Sequence, residues 1–383
     1  MLLGALVVIL LLVSALVLLA AFFNKQISRK VLNELGKSLK TELKVGDAQL
    51  SLLSSFPNAS VNLTDVQLKD AFGGTLLAAR EVAFRFKITS LFAERIEVKD
   101  MRISGGGIRV RITERGLVNY DIFKETGSES SELRIALENA ELKNLLLSFQ
   151  NARTKQTAEI NLRSAGFAGN FSAEKFNLSS QADCTVSRLQ VDKSRYLLGE
   201  TLRYNAVIAV DLSQGLYDLQ RVELTLGGNT FAVAGIAVDK PEHTDLNLKL
   251  TGKQGDVSVL FDLLPEPYHS YFNDFQSSGT YDCTAFVKGR AGRLHTPTVG
   301  VELALRNGQL FSEKLQSPLR QVSFRATYSA TPGALGRFEI ADFRGTFGGE
   351  PLDFQLTVTN LDDPVVDFQC HGALPMASAY GLL

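Results

Sequence analysis

From Val45 onward the sequence is governed by a hydrophobic period of two, and that pattern restricts the chain to β-sheet. Val82, Phe84, Phe86 and Ile88 alternate with Ala83, Arg85 and Lys87. Ile96 and Val98 alternate with Arg95 and Glu97, and Ile108, Val110 and Ile112 with Arg109 and Arg111. The pattern returns in Val222, Leu224 and Leu226, in Leu246, Leu248 and Leu250, and in Val299, Val301, Leu303 and Leu305. It closes with Val322, Phe324 and Ala326, then Leu352, Phe354, Leu356 and Val358. Each run is a strand with one apolar and one polar face. Glycine-rich clusters such as Gly105-Gly106-Gly107, Gly227-Gly228-Asn229 and Gly348-Gly349-Glu350 separate the runs as turns.

Repeated this often, the alternation implies a long antiparallel sheet with one greasy face. Few segments are available to cover it. Residues 25–44 carry Ile27, Val31, Leu35 and Leu39 four apart, with Lys30, Lys37, Lys40 and Lys44 off that stripe. This predicts an amphipathic helix, packed on the sheet or lying on a membrane surface. Shorter stretches fall at residues 135–150, where helix and strand both fit, at 257–264 and at 376–383. The sheet must therefore fold on itself or leave an apolar groove for a ligand. A weak repeat of roughly 100–120 residues links Asp183-Cys184 with Asp282-Cys283, and the Gly227-Gly228 turn with the Gly348-Gly349 turn. Because the second copy stops soon after a strand, the chain is expected to continue in a longer architecture.

Residues 2–23 contain no charge and are built from Leu, Val, Ala and Ile. That length crosses a bilayer core as a helix. It exceeds a signal-peptide core and lacks a small-x-small cleavage site, so an uncleaved anchor is expected. Lys25, Arg29 and Lys30 follow it, which by the positive-inside rule favours a cytoplasmic body, although long translocated domains escape that rule.

No catalytic constellation emerges. His243, His269, His295 and His371 are scattered, and no GxSxG, P-loop or GxGxxG opening a helix is present. Cys184, Cys283 and Cys370 lie too far apart for a ligand pair and read as three small buried side chains. A net charge of −1 argues against a nucleic-acid partner. The expected protein is not an enzyme and carries no metal or cofactor.

One stretch has a family flavour. Gly46-Asp47-Ala48-Gln49-Leu50-Ser51-Leu52-Leu53-Ser54-Ser55-Phe56-Pro57 follows the apolar segment and the expected Lys-rich helix. Next come Leu63, Asp65, Val66, Leu68 and Asp70, then Leu76-Leu77-Ala78-Ala79-Arg80, and finally Gly116-Leu117-Val118-Asn119-Tyr120-Asp121. This order resembles the N-terminal region of the AsmA family of bacterial envelope proteins, over about residues 1–125. The resemblance implies an inner-membrane anchor, a periplasmic body and a β-groove of the kind found in bridge-like lipid transfer proteins. It also implies phospholipids as partners and a part in outer-membrane homeostasis. It carries no catalytic residue.

The expectations are therefore a mainly β chain with an anchor at 1–24, an AsmA-like helix and β region at 25–125, a polar linker at 126–134 and a repeated β-groove at 135–383. Val82, Phe84, Phe86, Ile88, Val299, Val301, Leu303 and Leu305 are the candidate groove residues, with Arg85, Lys87, Arg109 and Arg111 turned to water. The competing reading is a non-catalytic assembly or scaffold factor for outer-membrane proteins.

Overall fold

The computed structural model describes residues 32–33, 36–51, 58–87, 96–124, 133–171, 173–192, 194–262, 276–292, 294–311, 317–361 and 363–372. The apolar segment at 2–23, Ile88 and residues 376–383 lie outside them. Among the described residues no helix is long and apolar enough to cross a membrane. The chain is mainly β and forms two compact units, Met1–Thr185 and Val186–Leu383.

The first unit holds β1 (Leu43–Lys44), β2 (Asp47–Ser51), β3 (Asn58–Lys69), β4 (Thr75–Lys87), β5 (Ile96–Ile112), β6 (Leu133–Asn151) and β7 (Gln156–Ala168). β8 (Lys175–Val191) begins in it and ends in the second. Neighbouring strands pair antiparallel, except that β5 and β6 run parallel. The alternation could not reveal that exception, because it fixes which face a side chain takes and not the strand direction.

Two further expectations change. Among the described residues of the segment 25–44, helix is found at 32–33 and 36–38, and Ile27, Val31 and Leu35 lie outside the described residues; Leu39 bridges Phe123, and Leu43 pairs with Leu68. Leu39 and Leu43 are instead held by a small core with Leu76, Ile122 and Leu68. The ambiguous stretch at 135–150 is strand β6, whose start at Leu133 also shortens the expected linker. Its helix-like spacing has a backbone cause. Asn144 sits at φ 51°, in the left-handed region, and the apolar positions step from Leu142 to Leu145 across it. The same three-residue step occurs at Leu63–Val66 around Asp65 and at Ile103–Gly106 around Gly105, both also left-handed. A left-handed residue interrupts the pleat, so the alternation restarts out of phase.

A polar cluster ties the end of β3 to the segment after β5. The Asp70 carboxylate is fully buried and accepts hydrogen bonds from the backbone of Phe72 (2.9 Å) and Gly74 (2.7 Å), from Asn119 Nδ2 (3.0 Å) and from the Arg111 guanidinium (2.6 Å). Asn119, also fully buried, donates to the Arg109 carbonyl and accepts from the Arg111 N–H. Arg111 is thus half-buried against Asp70 rather than turned freely to water, whereas Arg109 is exposed as expected. Burial by itself would raise the Asp70 pKa; the donors from Asn119, Arg111, Gly74 and Phe72 outweigh it and hold it at about 2. A depressed carboxylate stabilises the fold above its unfolded pKa, near 4, and loses that contribution as pH falls through about 2. Asn119→Ala removes the side-chain partner of the Arg109 carbonyl and of the Arg111 N–H and one of the donors to Asp70, and should cost about 1–3 kcal/mol in urea unfolding at neutral pH. For Asp70→Asn the deficit against the parent should shrink as pH drops from about 4 towards 2; a pH-independent deficit would contradict the assignment.

Candidate functional site: an apolar face with a concavity

The second unit contains β9 (Ser194–Tyr196), β10 (Thr201–Asp211), β11 (Leu216–Leu226), β12 (Asn229–Asp239) and β13 (His243–Asp256), then β14 (Gln276–Gly292), β15 (Thr298–Phe311) and β16 (Leu319–Ala330). It ends with β17 (Arg337–Phe347), β18 (Glu350–Thr359) and β19 (Val365–Gly372). From β10 to β19 each strand pairs antiparallel with the next. Directly opposed residues share a face, so the register traces rows across the sheet. One row reads Ala206, Val222, Val233, Leu250, Ala285, Val301, Tyr328, Phe338, Val358, Val366. The next inner row reads Tyr204, Leu224, Phe231, Gly252, Cys283, Leu303, Ala326, Ile340, Leu356, Phe368. Neither contains a charge. The row between them, on the other face, reads Asn205, Glu223, Ala232, Thr251, Thr284, Glu302, Thr327, Glu339, Thr357, Asp367.

Bulges keep these rows aligned. β11, β13, β15 and β17 each spend three residues where the strand after them spends two, at Leu219–Val222, Gly252–Gly255, Leu305–Gly308 and Ile340–Phe343. Gln254, Asn307 and Asp342 take φ values of 52–53° inside three of these steps. Asp282, on the strand between two bulges, accepts the Gln254 N–H at 2.9 Å and the Arg306 guanidinium at 2.8 Å. Those contacts, the Gln254 N–H foremost, lower its pKa.

A concavity of about 600 Å³ opens on the apolar face. β15 contributes Val301, Leu303 and Leu305; β16 contributes Leu319, Val322, Phe324 and Ala326; β17 and β18 add Ile340, Phe343, Leu352 and Phe354. One end is closed by Val257 and Leu260, part of a turn running into the short helix Ser258–Asp262. Asp256 caps that turn by accepting from the Ser258 N–H and hydroxyl. Val259 fits over Gly227, where an added Cβ would approach it to 2.8 Å. Beneath this end lies Tyr281, 1% exposed, its hydroxyl 3.1 Å from Asn229 Nδ2. Asn229 also exchanges two hydrogen bonds with the Asp256 backbone. Burial is the chief reason the Tyr281 pKa rises to about 12.

Of the candidate residues, Val301, Leu303 and Leu305 meet in this concavity, while Val299 lies on the same face outside it, opposite Ala330. Val82, Phe84 and Phe86 share an apolar face within the first unit, where Leu50, Val61, Phe84, Met101, Ala140 and Phe167 form one row. Arg85 takes the opposite face with Ser60 and Asp100, and Lys87 is exposed. Ile88 is outside the described residues. Cys184 is buried and Cys283 half-buried, with burial raising both thiol pKa values, but Cys370 on β19 is exposed rather than buried. The repeated Asp-Cys pairs behave alike: Asp183 and Asp282 each accept an arginine, Arg163 and Arg306, both at 2.8 Å. His243 and His295, far apart in sequence, stack edge to face at 5.4 Å. Sequence spacing gave no sign of that contact, which depends on the β13–β14 register. Among the described residues no group of three or more metal-ligating side chains is assembled.

No family model, no curated protein and no solved structure matches the chain. The site therefore rests on its own geometry. Asn229→Ala removes the pin between the concavity's end and Tyr281 and should cost about 1–3 kcal/mol by urea unfolding, while Tyr281→Phe, which removes only the hydroxyl, should cost about 1 kcal/mol or less. Equal losses in the two variants would contradict this arrangement.

Proposed function

We propose that this chain is an inner-membrane-anchored, periplasmic protein of AsmA-like type that holds lipid acyl chains against a β-sheet and acts, without catalysis, in phospholipid movement and outer-membrane homeostasis. The observation that carries the reading is the pair of charge-free rows running without interruption from β10 to β19, with a deepening at β15–β18. Since a cavity of about 150 Å³ accepts a six-carbon ring, about 600 Å³ accommodates on the order of two dozen carbons. Each buried methylene contributes roughly 0.8 kcal/mol, so about a dozen of them offset a substantial ordering cost. The headgroup stays in water, because the lining offers no buried charge to meet it. The anchor and the periplasmic placement rest on the uncharged run at 2–23 and on the family resemblance.

The test combines native mass spectrometry of detergent-extracted protein with photocrosslinking. Phospholipid should co-purify, and a photoreactive residue at Leu303 should label lipid at least several-fold more than one at the exposed Glu302. The pair Phe84 and Arg85 makes the same comparison in the first unit. Equal labelling of both faces, or no lipid on a folded protein, would remove this function.

A further inference from the structure

The β3–β4 turn, the segment after β5 and the β6–β7 turn fall at one end of the first unit. Lys69 opposite Thr75 closes β3 on β4, and Leu77 opposite Ile108 brings the end of β5 beside them. Ile112 opposite Asn151, and Asn151 opposite Gln156, add the β6–β7 turn. Residues 38–40 join the same end. The Lys40 N–H donates to the Ile122 carbonyl at 2.7 Å, and the Lys124 N–H to the Ser38 carbonyl at 3.0 Å.

The tips here are apolar and turned outward. Leu117 is 59% exposed, Phe123 57%, Tyr120 47% and Phe72 42%. None lies in a strand, so the alternation of a pleat does not account for their exposure. Buried polar groups fix them instead. The Asp70 carboxylate takes up the Phe72 N–H and the Asn119 side chain, while the Ala71 N–H donates to the Asn119 carbonyl at 2.9 Å. Thr113 holds Leu117 through the backbone at 2.9 Å and through its hydroxyl at 3.0 Å. The Arg111 guanidinium lies 5.8 Å from the centre of the Phe72 ring. Several large apolar tips on so well-tied a frame mark an interaction surface.

Basic side chains surround these tips. In segments 36–40, 70–74, 113–124 and 152–155 the exposed cations are Lys37, Lys40, Arg115, Lys124, Arg153 and Lys155, against Glu114 and Asp121. Asp121 is already paired with Lys40 at 2.9 Å, which leaves this end positive in a chain of net charge −1. Aromatic and aliphatic tips set among Lys and Arg suit the boundary of a bilayer, where the tips enter the acyl region and the cations meet anionic headgroups. Protein interfaces, by contrast, are depleted of lysine. Lys37 follows Phe23, the last residue of the uncharged run, by fourteen residues. A chain of that length reaches at most about 50 Å. Such a tether keeps the surface at high effective concentration near the bilayer, so a modest contact suffices to seat it.

We infer that this end of the first unit is a membrane-docking surface, which seats Phe72, Leu117, Tyr120 and Phe123 in the anionic face of the bilayer that residues 2–23 cross. The inference rests on the anchor reading of that run and not on lipid uptake by the sheet.

The full chain is reconstituted into vesicles of phosphatidylethanolamine and phosphatidylglycerol. An NBD fluorophore is attached through an encoded azide-bearing residue at Leu117, Phe123 or Ala168, the last being exposed at the opposite end of β7. Nitroxide-labelled lipid should quench the first two at least several-fold more than the third. Arg115→Glu combined with Arg153→Glu should cut the quenching at Phe123 several-fold with an unchanged far-ultraviolet circular dichroism spectrum. Replacing phosphatidylglycerol by phosphatidylcholine should do the same. Protein that alkaline carbonate extracts from the vesicles overturns the anchor and the docking together. Protein that resists carbonate yet shows equal quenching at Leu117, Phe123 and Ala168 overturns the docking alone. So does quenching indifferent to both the charge reversal and the loss of anionic lipid.

Discussion

The architecture depends on one requirement: each strand from β10 to β19 must present its apolar residues to the same side as its neighbours. In a single antiparallel ladder a slip of one residue would exchange the faces of a whole strand and set charges among leucines. The register prevents this. On the apolar face, directly opposed partners match in polarity from row to row, so hydrogen bonding and hydrophobic burial select the same alignment. The concavity is a consequence of that agreement, since β15 to β18 can form a nearly unbroken apolar lining only when their inner rows coincide.

Local polar contacts hold the alignment at its weakest places. Extra residues in β11, β13, β15 and β17 would leave unpaired backbone groups if nothing met them. Asp282 supplies an acceptor for one such N–H and reaches toward the next bulge through Arg306. In the first unit the Asp70–Asn119–Arg111 cluster does comparable work at the turn between β3 and β4, with nearly every polar atom matched to a partner. These groups are small in number, yet each couples segments distant in sequence.

Much of this was legible in the sequence because a period of two is a direct record of strand geometry. Val82, Phe84 and Phe86 against Arg85, and Val301, Leu303 and Leu305 against Glu302, take the faces the alternation predicts. What escaped the pattern has physical causes. The jump around Asn144 imitates helical spacing, so helix and strand both fitted the stretch that forms β6. The parallel β5–β6 pair depends on the path of the intervening chain, which side-chain polarity does not encode. Asp70 and Asn119 stood out as parts of a motif, but their burial together is a property of tertiary contact. Leu39 fits a helical stripe of residues four apart and is held instead by a bridge to Phe123. Phe343 reaches the lining only through the bulge at Ile340–Phe343, which breaks the period of two within β17.

The antiparallel order of the strands also defines how such a chain can change length. Each strand from β10 to β19 reverses the direction of the one before it, so the smallest block that preserves the pattern is a hairpin. Gain or loss of one such hairpin leaves the direction of every following strand unchanged, whereas gain or loss of one strand reverses the chain direction of all that follow. The reach of the apolar face is therefore quantised in pairs of strands. Variation in its extent should arise by duplication or deletion of whole hairpins, with turns such as Gly227-Gly228 and Gly348-Gly349 as the natural seams.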